Sequence, residues 1–170
     1  MDNFKERLKD IKAFVFDVDG VFSDNVILHV NGDLMRHMNV KDGFAVKTAV
    51  DKGFKVGIIT GGNSESVKSR FNGLGVTDIY LASHNKLDDF EDFYYKYDLK
   101  PSEILYMGDD IPDYEVMTKV GLATCPADAV EEIQSISHYI SDKKAGTGCI
   151  RDVIEQVLRA KGMWFKLSTP

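Results

Sequence analysis

Apolar residues come in short runs separated by amphipathic stretches. Ala13-Phe14-Val15-Phe16 is continuous and ends abruptly at Asp17. Such a run, without polar alternation, predicts a strand near 13–17 buried on both faces at the centre of a parallel sheet. Similar runs predict strands at 55–59, 78–81, 103–107, 121–124 and 138–140. The intervening stretches have helical spacing. A short lead-in helix covers 2–12. Phe44, Val46, Ala49 and Val50 form a stripe stopped by Gly53. Val67, Phe71 and Leu74 form the next, closed by Gly73 and Gly75, and Leu87, Phe90, Phe93 and Tyr94 a third, opened by Lys86. Helices near 113–119, from 127 and near 148–161 complete the alternation. The pattern predicts one α/β domain over 1–170, a doubly wound, mostly parallel sheet with right-handed crossovers.

One segment breaks the alternation. Two extended runs, 26–30 and 33–38, flank Asn31-Gly32, a strong short-range hairpin signal. A β-hairpin at about 25–38 therefore projects just after the first strand. It is too apolar to stand alone in water and is expected to pack on another subunit. The segment Asn39-Val40-Lys41-Asp42-Gly43 is expected as a loop. The tail, 162–170, is apolar for a C-terminus; packing on its own domain and docking on a neighbouring subunit are both open.

Composition narrows the partners. The net charge of -6 argues against non-specific nucleic-acid binding, which needs a basic surface. No apolar run approaches a membrane span, and the first residues carry no signal-peptide apolar region. Cys125 and Cys149 form no CxxC pair, so reduced thiols and a cytoplasmic location are expected. The four histidines, at 29, 37, 84 and 138, show no metal-ligand spacing.

The chemistry lies at strand ends. The first strand runs into Asp17-Val18-Asp19-Gly20, the second into Thr60-Gly61-Gly62, and the fourth into Gly108-Asp109-Asp110; Lys86 follows the third. In a parallel sheet these ends face one side, where ligands of such sheets bind. Singly, each motif is weak: Asp17 or Asp19 could be a helix cap or turn residue, Thr-Gly-Gly a plain turn, Lys86 a solvated helix start. Together, three carboxylates, a hydroxyl and an ammonium make a magnesium and phosphate site. Thr60 can donate to a phosphoryl oxygen, and Gly61 and Gly62 let backbone N–H groups approach it at a helix N-terminus. Lys86 can neutralise phosphate and nucleophile together.

With these residues in order, the chain resembles the haloacid-dehalogenase superfamily of phosphohydrolases over nearly its whole length. The hairpin, Asn39-Val40-Lys41-Asp42-Gly43, Asn85-Lys86 and Gly146-Thr147-Gly148 resemble one small capless branch. That branch comprises the 3-deoxy-D-manno-octulosonate 8-phosphate phosphatases and their nonulosonate 9-phosphate relatives. The lack of any insertion large enough for a cap domain agrees. The resemblance implies a homotetramer with hairpins in a central contact and sites shared between subunits. It also implies that Asp17 attacks phosphorus and becomes an aspartyl phosphate. Asp19 protonates the leaving sugar oxygen and then activates water. Asp17, the backbone carbonyl of Asp19 and Asp109 would hold Mg2+. Asp110 supports that set from behind, and Asp113 acts only indirectly.

The implied substrate is a sugar-acid phosphate, in a lipopolysaccharide-sugar pathway. Residues Asn39, Val40, Lys41, Asp42 and Gly43, with Lys47, Gly61, Gly62, Arg70, Lys86 and Asp19, are the implied contacts. Lys41 and Lys47 stand where the family has arginine, and Gly62 where it has arginine or glutamate. A lysine replaces a bidentate fork with a point charge. The missing glutamate favours the octulosonate over the nonulosonate. Two other classes remain. A phospho-acceptor signalling module would share the acid, threonine and lysine set, but the third strand ends without an aspartate. A non-catalytic subunit of a sugar-nucleotide enzyme would not need Asp17, Asp19, Thr60, Lys86 and Asp109 intact.

Overall fold

The structure is a computed structural model that describes residues 3–165. Six strands form one parallel sheet: β1 (Ala13–Phe16), β4 (Lys55–Ile59), β5 (Asp78–Tyr80), β6 (Ile104–Met107), β7 (Leu122–Cys125) and β8 (Tyr139–Ile140). Their spatial order is β5-β4-β1-β6-β7-β8, so β1 is interior, as its apolar run predicts. Helices α2 (Val40–Asp51), α3 (Glu65–Gly73) and α7 (Cys149–Ala160) cover one face; α4 (Lys86–Lys96), α5 (Tyr114–Met117) and α6 (Glu131–Ile136) cover the other. The two cores follow from strand alternation. Phe14 and Phe16 point into the first, against Val46, Phe71 and Ile154; Ala13 and Val15 point into the second, with Phe90, Phe93 and Met117. An aromatic series, Phe16 to Phe22 at 5.6 Å and Phe22 to Phe71 at 4.8 Å, both edge-on, fills the space under the loop after β1.

The register matters for function. Phe16 lies opposite Ile58 of β4 and Met107 of β6. The sheet hydrogen bonding continues one step past β1, with the Asp17 amide donating to the Met107 carbonyl at 3.1 Å. The three central strands therefore end level with one another. Among the described residues no cap domain follows β1. The insertion there is the antiparallel hairpin of β2 (Val26–Leu28) and β3 (Leu34–Arg36). Its turn is closed by the His29 amide on the Asp33 carbonyl, with Gly32 at φ +89°.

Several boundaries differ from the sequence reading. The lead-in helix is short, α1 (Phe4–Arg7), capped by the Asn3 side chain. Residues 39–43 are not a loop: Asn39 caps α2 by accepting from the Lys41 amide at 2.8 Å, and residues 40–43 are its first turn. An asparagine at the cap outweighs a glycine in the first turn. The buried side of α2 comprises Asp42, Gly43, Ala45, Val46 and Ala49, whereas Phe44 is 58% exposed. Helix α6 starts at Glu131 rather than 127. The start of the tail lies on its own domain: Trp164 is buried under the Arg151 guanidinium, 4.6 Å from its ring, and meets Phe44 edge-on. The rest of the tail, 166–170, is outside the described residues.

Asp42 has a structural task. Helix α7 begins at Gly148 without a side-chain cap. The buried Asp42 carboxylate of α2 accepts from the Arg151 amide in the first turn of α7, at 2.7 Å. It thus caps a neighbouring helix and complements the positive end of its dipole. Asp42→Ala is expected to lower unfolding free energy by about 1–2 kcal/mol, and Asp42→Asn, which keeps an acceptor oxygen, by less. Urea titration of the three proteins checks both values.

Candidate active site

At the end of β1 the backbone is still in the sheet, so Asp17 carries its carboxylate to the edge of the core, 7% exposed. One oxygen accepts from the Val18 amide at 2.7 Å, and the other lies 2.8 Å from Nζ of Lys86. Lys86 is the first residue of α4, after the cap Asn85, and is itself buried. The same Nζ donates to Asp113 at 2.7 Å. Asp113 closes a 3-10 turn (Ile111–Asp113) and is completely buried. It also accepts from the Tyr106 hydroxyl at 2.6 Å and from the Asp109 amide at 3.1 Å. Oδ1 of Asp109 is buried and has no hydrogen-bond partner among the described residues.

Two glycines permit this crowding. Gly20 has φ +84°, and a β-carbon there would stand 1.9 Å from an Asp109 oxygen. A β-carbon on Gly108 would stand 2.4 Å from that of Asp113. The carboxylates of Asp109 and Asp113 occupy the space that any larger residue would claim.

Asp17, Asp109 and Asp113 each offer an oxygen, and these lie within 4.8 Å of one another. Three carboxylates thus share one ammonium. Burial, reinforced by the Asp113 charge, pushes the Asp17 carboxyl up to about 8 despite Lys86. Burial and Asp113 push Asp109 up to about 7. Burial alone would depress Lys86, but its two carboxylate partners outweigh it and raise the ammonium. The cluster lacks positive charge. All its free donors are oxygen, and one, on Asp109, is buried without a partner. These residues fit a hard divalent cation.

Thr60 follows β4, and its hydroxyl accepts from the Gly62 amide at 3.2 Å. A β-carbon on Gly62 would stand 3.5 Å from Thr60 Oγ1 and 3.6 Å from Asp19 Oδ2, so these three residues share one space. Gly20 links that space to Asp109. Residues 17, 19, 60, 86 and 109 are therefore brought together, as the strand-end argument requires.

Two residues stand differently from the sequence reading. Asp113, expected to act indirectly, is at the centre. Asp110, expected to support the ligands, is exposed and accepts from the Ile111 amide at 2.7 Å. The spacing Gly-Asp-Asp-x-x-Asp brings Asp113 back within one tight turn, which was the available signal. Arg36 of β3, not anticipated, grips both oxygens of Asp19 at 2.6 and 2.8 Å. Its only signal was a cation at the end of the hairpin. The expected sugar-acid contacts are dispersed. Val40 and Lys41 are exposed at the start of α2, and Asp42 is turned toward α7. Lys47 pairs with Asp51 at 2.6 Å, and the Arg70 guanidinium lies against Gly43. Among the described residues no hydrogen bond or ion pair joins Lys41, Lys47 or Arg70 to Asp17, Asp19 or Thr60.

Residues 71–154 match the haloacid dehalogenase-like hydrolase family. A 3-deoxy-D-manno-octulosonate 8-phosphate phosphatase of Escherichia coli is 36% identical over 157 residues, 92% of this chain and 84% of that one. The crystal structure of the Yersinia pestis phosphatase of the same name superposes with a TM-score of 0.92 at 31% identity, covering 95% of this chain and 88% of that one. The Moraxella catarrhalis phosphatase, crystallised with magnesium, phosphate and KDO, superposes with a TM-score of 0.90 at 30% identity, covering 94% and 93%. These likenesses span the whole carboxylate-bearing sheet edge and give no support to a signalling or non-catalytic role. The chain belongs to the haloacid dehalogenase-like hydrolases, in the branch of the 3-deoxy-D-manno-octulosonate 8-phosphate phosphatases, and is a phosphatase.

Proposed function

We propose that this enzyme hydrolyses 3-deoxy-D-manno-octulosonate 8-phosphate to the free sugar acid and inorganic phosphate, with Mg2+ as cofactor and Asp17 as nucleophile. The observation that carries the reading is the buried cluster of Asp17, Asp109 and Asp113 around one lysine, short of positive charge at the edge where a phosphate would enter. Asp17, Asp109 and the Asp19 carbonyl would hold the ion, with Asp113 beside them. When bound, it supplies the charge that lets a carboxylate approach a phosphate dianion.

The remaining steps belong to the chain's own groups. Lys86 draws Asp17 to a fixed orientation and offsets charge on the incoming phosphate. The Thr60 hydroxyl and the Gly61 amide would face the phosphoryl oxygens, and the Gly62 amide, which donates to Thr60, would turn toward them when phosphate enters. An oxygen of Asp17 forms a bond to phosphorus as the bond to the sugar oxygen breaks, and Asp19 gives its proton to that oxygen. Asp19 then takes a proton from water, whose oxygen bonds to phosphorus while the acyl phosphate bond breaks. Asp17 is regenerated and phosphate leaves.

The sugar acid would lie over the exposed start of α2, near Asn39 and Lys41, and Lys47 would have to leave Asp51 to meet its carboxylate. The hairpin carries Leu28, 74% exposed, and Val30, fully exposed, beside Val26, Leu34 and Met35. A cytoplasmic homotetramer that buries these side chains and shares its sites between subunits is part of the proposal.

Phosphate release from octulosonate 8-phosphate and nonulosonate 9-phosphate, measured side by side, tests the substrate. The expected kcat/KM is higher for the octulosonate; the reverse order overturns the sugar assignment, and full activity in chelator overturns the metal. Asp17→Asn is expected to lower kcat more than about 1000-fold; a smaller loss removes Asp17 as nucleophile.

Stability without metal should depend on pH in a defined direction. Asp17 and Asp109 keep their protons up to about 8 and about 7 in the folded chain, against an ordinary 3.8. The folded state binds more protons across that window, so stability falls as pH rises through it. Thermal melts of metal-free protein are expected to show a lower Tm at pH 8.5 than at pH 6. Magnesium chloride should raise Tm more at the higher pH.

A further inference from the structure

The hairpin touches the chemistry at one point. Arg36, the last residue of β3, turns back toward the sheet and meets Asp19 as a planar fork. Nε donates to Oδ1 at 2.6 Å and Nη2 to Oδ2 at 2.8 Å. Nη1 donates to the Leu34 carbonyl at 3.0 Å, which ties the guanidinium to its own strand. The Arg36 side chain is only 5% exposed, while that of Asp19 is 36% exposed. A covered, bidentate pair differs from the solvated ion pairs of a protein surface, which hold no fixed geometry. The Asp19 carboxylate stands on a loop and has no other side-chain partner among the described residues. Without the fork both of its side-chain torsions are loose.

Gly62 makes room for this arrangement. A β-carbon at position 62 would stand 3.1 Å from Nη2 of Arg36, tighter than ordinary contact. The guanidinium thus lies beside the Thr60–Gly62 turn, over the space where Asp19 faces the phosphate.

We propose that Arg36 is the positioning residue of Asp19: the hairpin, through this fork, aims the carboxyl group that protonates the leaving oxygen. The inference rests on the role given to Asp19 above. The two contacts fix the carboxyl plane; when Asp19 carries its proton, one is released and the other still holds one oxygen against a guanidinium tied to Leu34. A lysine would hold Asp19 at one point and leave its plane free.

The role predicts a dependence on the leaving group. A sugar alkoxide must be protonated as it departs, whereas p-nitrophenolate leaves without help. Arg36→Met, Arg36→Lys and Asp19→Asn are compared on octulosonate 8-phosphate and p-nitrophenyl phosphate, with thermal melts of each protein. In Arg36→Met the ratio of sugar to aryl kcat is expected to fall about 10- to 100-fold, part of the 10²- to 10⁴-fold range of acid–base catalysis. Arg36→Lys should lie between it and the parent, and Asp19→Asn should lower the ratio at least as far as Arg36→Met. Equal loss on both substrates in both Arg36 variants, or no loss, overturns the inference while leaving Asp19 as acid if Asp19→Asn remains selective. An Asp19→Asn ratio equal to the parent's overturns the acid assignment itself, and the positioning role with it.

Discussion

Carboxylates at the rim of an apolar core repel one another and lose hydration, and only a matching positive charge makes their burial tolerable. Here the ammonium of Lys86 pairs with Asp17 and Asp113, and Asp109 stands within reach of both carboxylates. The arrangement is one dication short of balance. Burial first, and the neighbouring Asp113 charge second, raise the carboxyl groups of Asp17 and Asp109, and one Asp109 oxygen is left without a partner among the described residues. The chain therefore keeps at this edge a cluster whose charge a hard dication would balance. Lys86 cannot be replaced by a solvated surface charge in this scheme. Its stem is buried in α4's first turn, so the ammonium is delivered between Asp17 and Asp113.

The fold supplies what such a cluster requires. Level strand ends bring three loops to one height, and the pairing of β1 with both β4 and β6 fixes that level to within a residue. Gly20 then lets Asp109 of a separate loop approach closer than a β-carbon would allow, and Gly108 does the same for Asp113 within its own loop. On either side of the sheet, the alternation of Phe14 and Phe16 against Ala13 and Val15 holds β1 between two helical layers. A shift of one residue in that strand would put phenylalanines into the wrong layer and move Asp17 off the edge at once, so packing and catalysis share one register.

Much of this is legible before folding. Buried parallel strands announce themselves as unbroken apolar runs, and β4 was bounded correctly on that ground. Asp17, Thr60, Lys86 and Asp109 could be read as a group because each ends or follows such a run. Two kinds of residue could not. Asp42 lies in a motif that suggests substrate contact, yet its carboxylate caps α7, more than a hundred residues along the chain. Arg36 lies on an exposed strand where an arginine ordinarily means solubility. Both roles depend on long-range placement, and periodicity reports only local structure. The exposed position of Phe44 has the same origin: helical spacing put it in the inward stripe, but the structure buries Ala45 instead and sets Phe44 beside Trp164 and Arg151.

The hairpin unites the two levels. Its surface is apolar, with Val26, Ile27, Leu28, Leu34 and Met35 all exposed. Its inner end, at Arg36, is fixed to Asp19. A two-stranded ribbon has little stability of its own, so its position depends on what holds either surface. Whatever packs on the apolar side also sets where Arg36 stands, and so how Asp19 is aimed. In the proposed assembly, what covers the apolar side would bear on Asp19 through the six residues of β2 and β3, without any change in the sheet that carries Asp17.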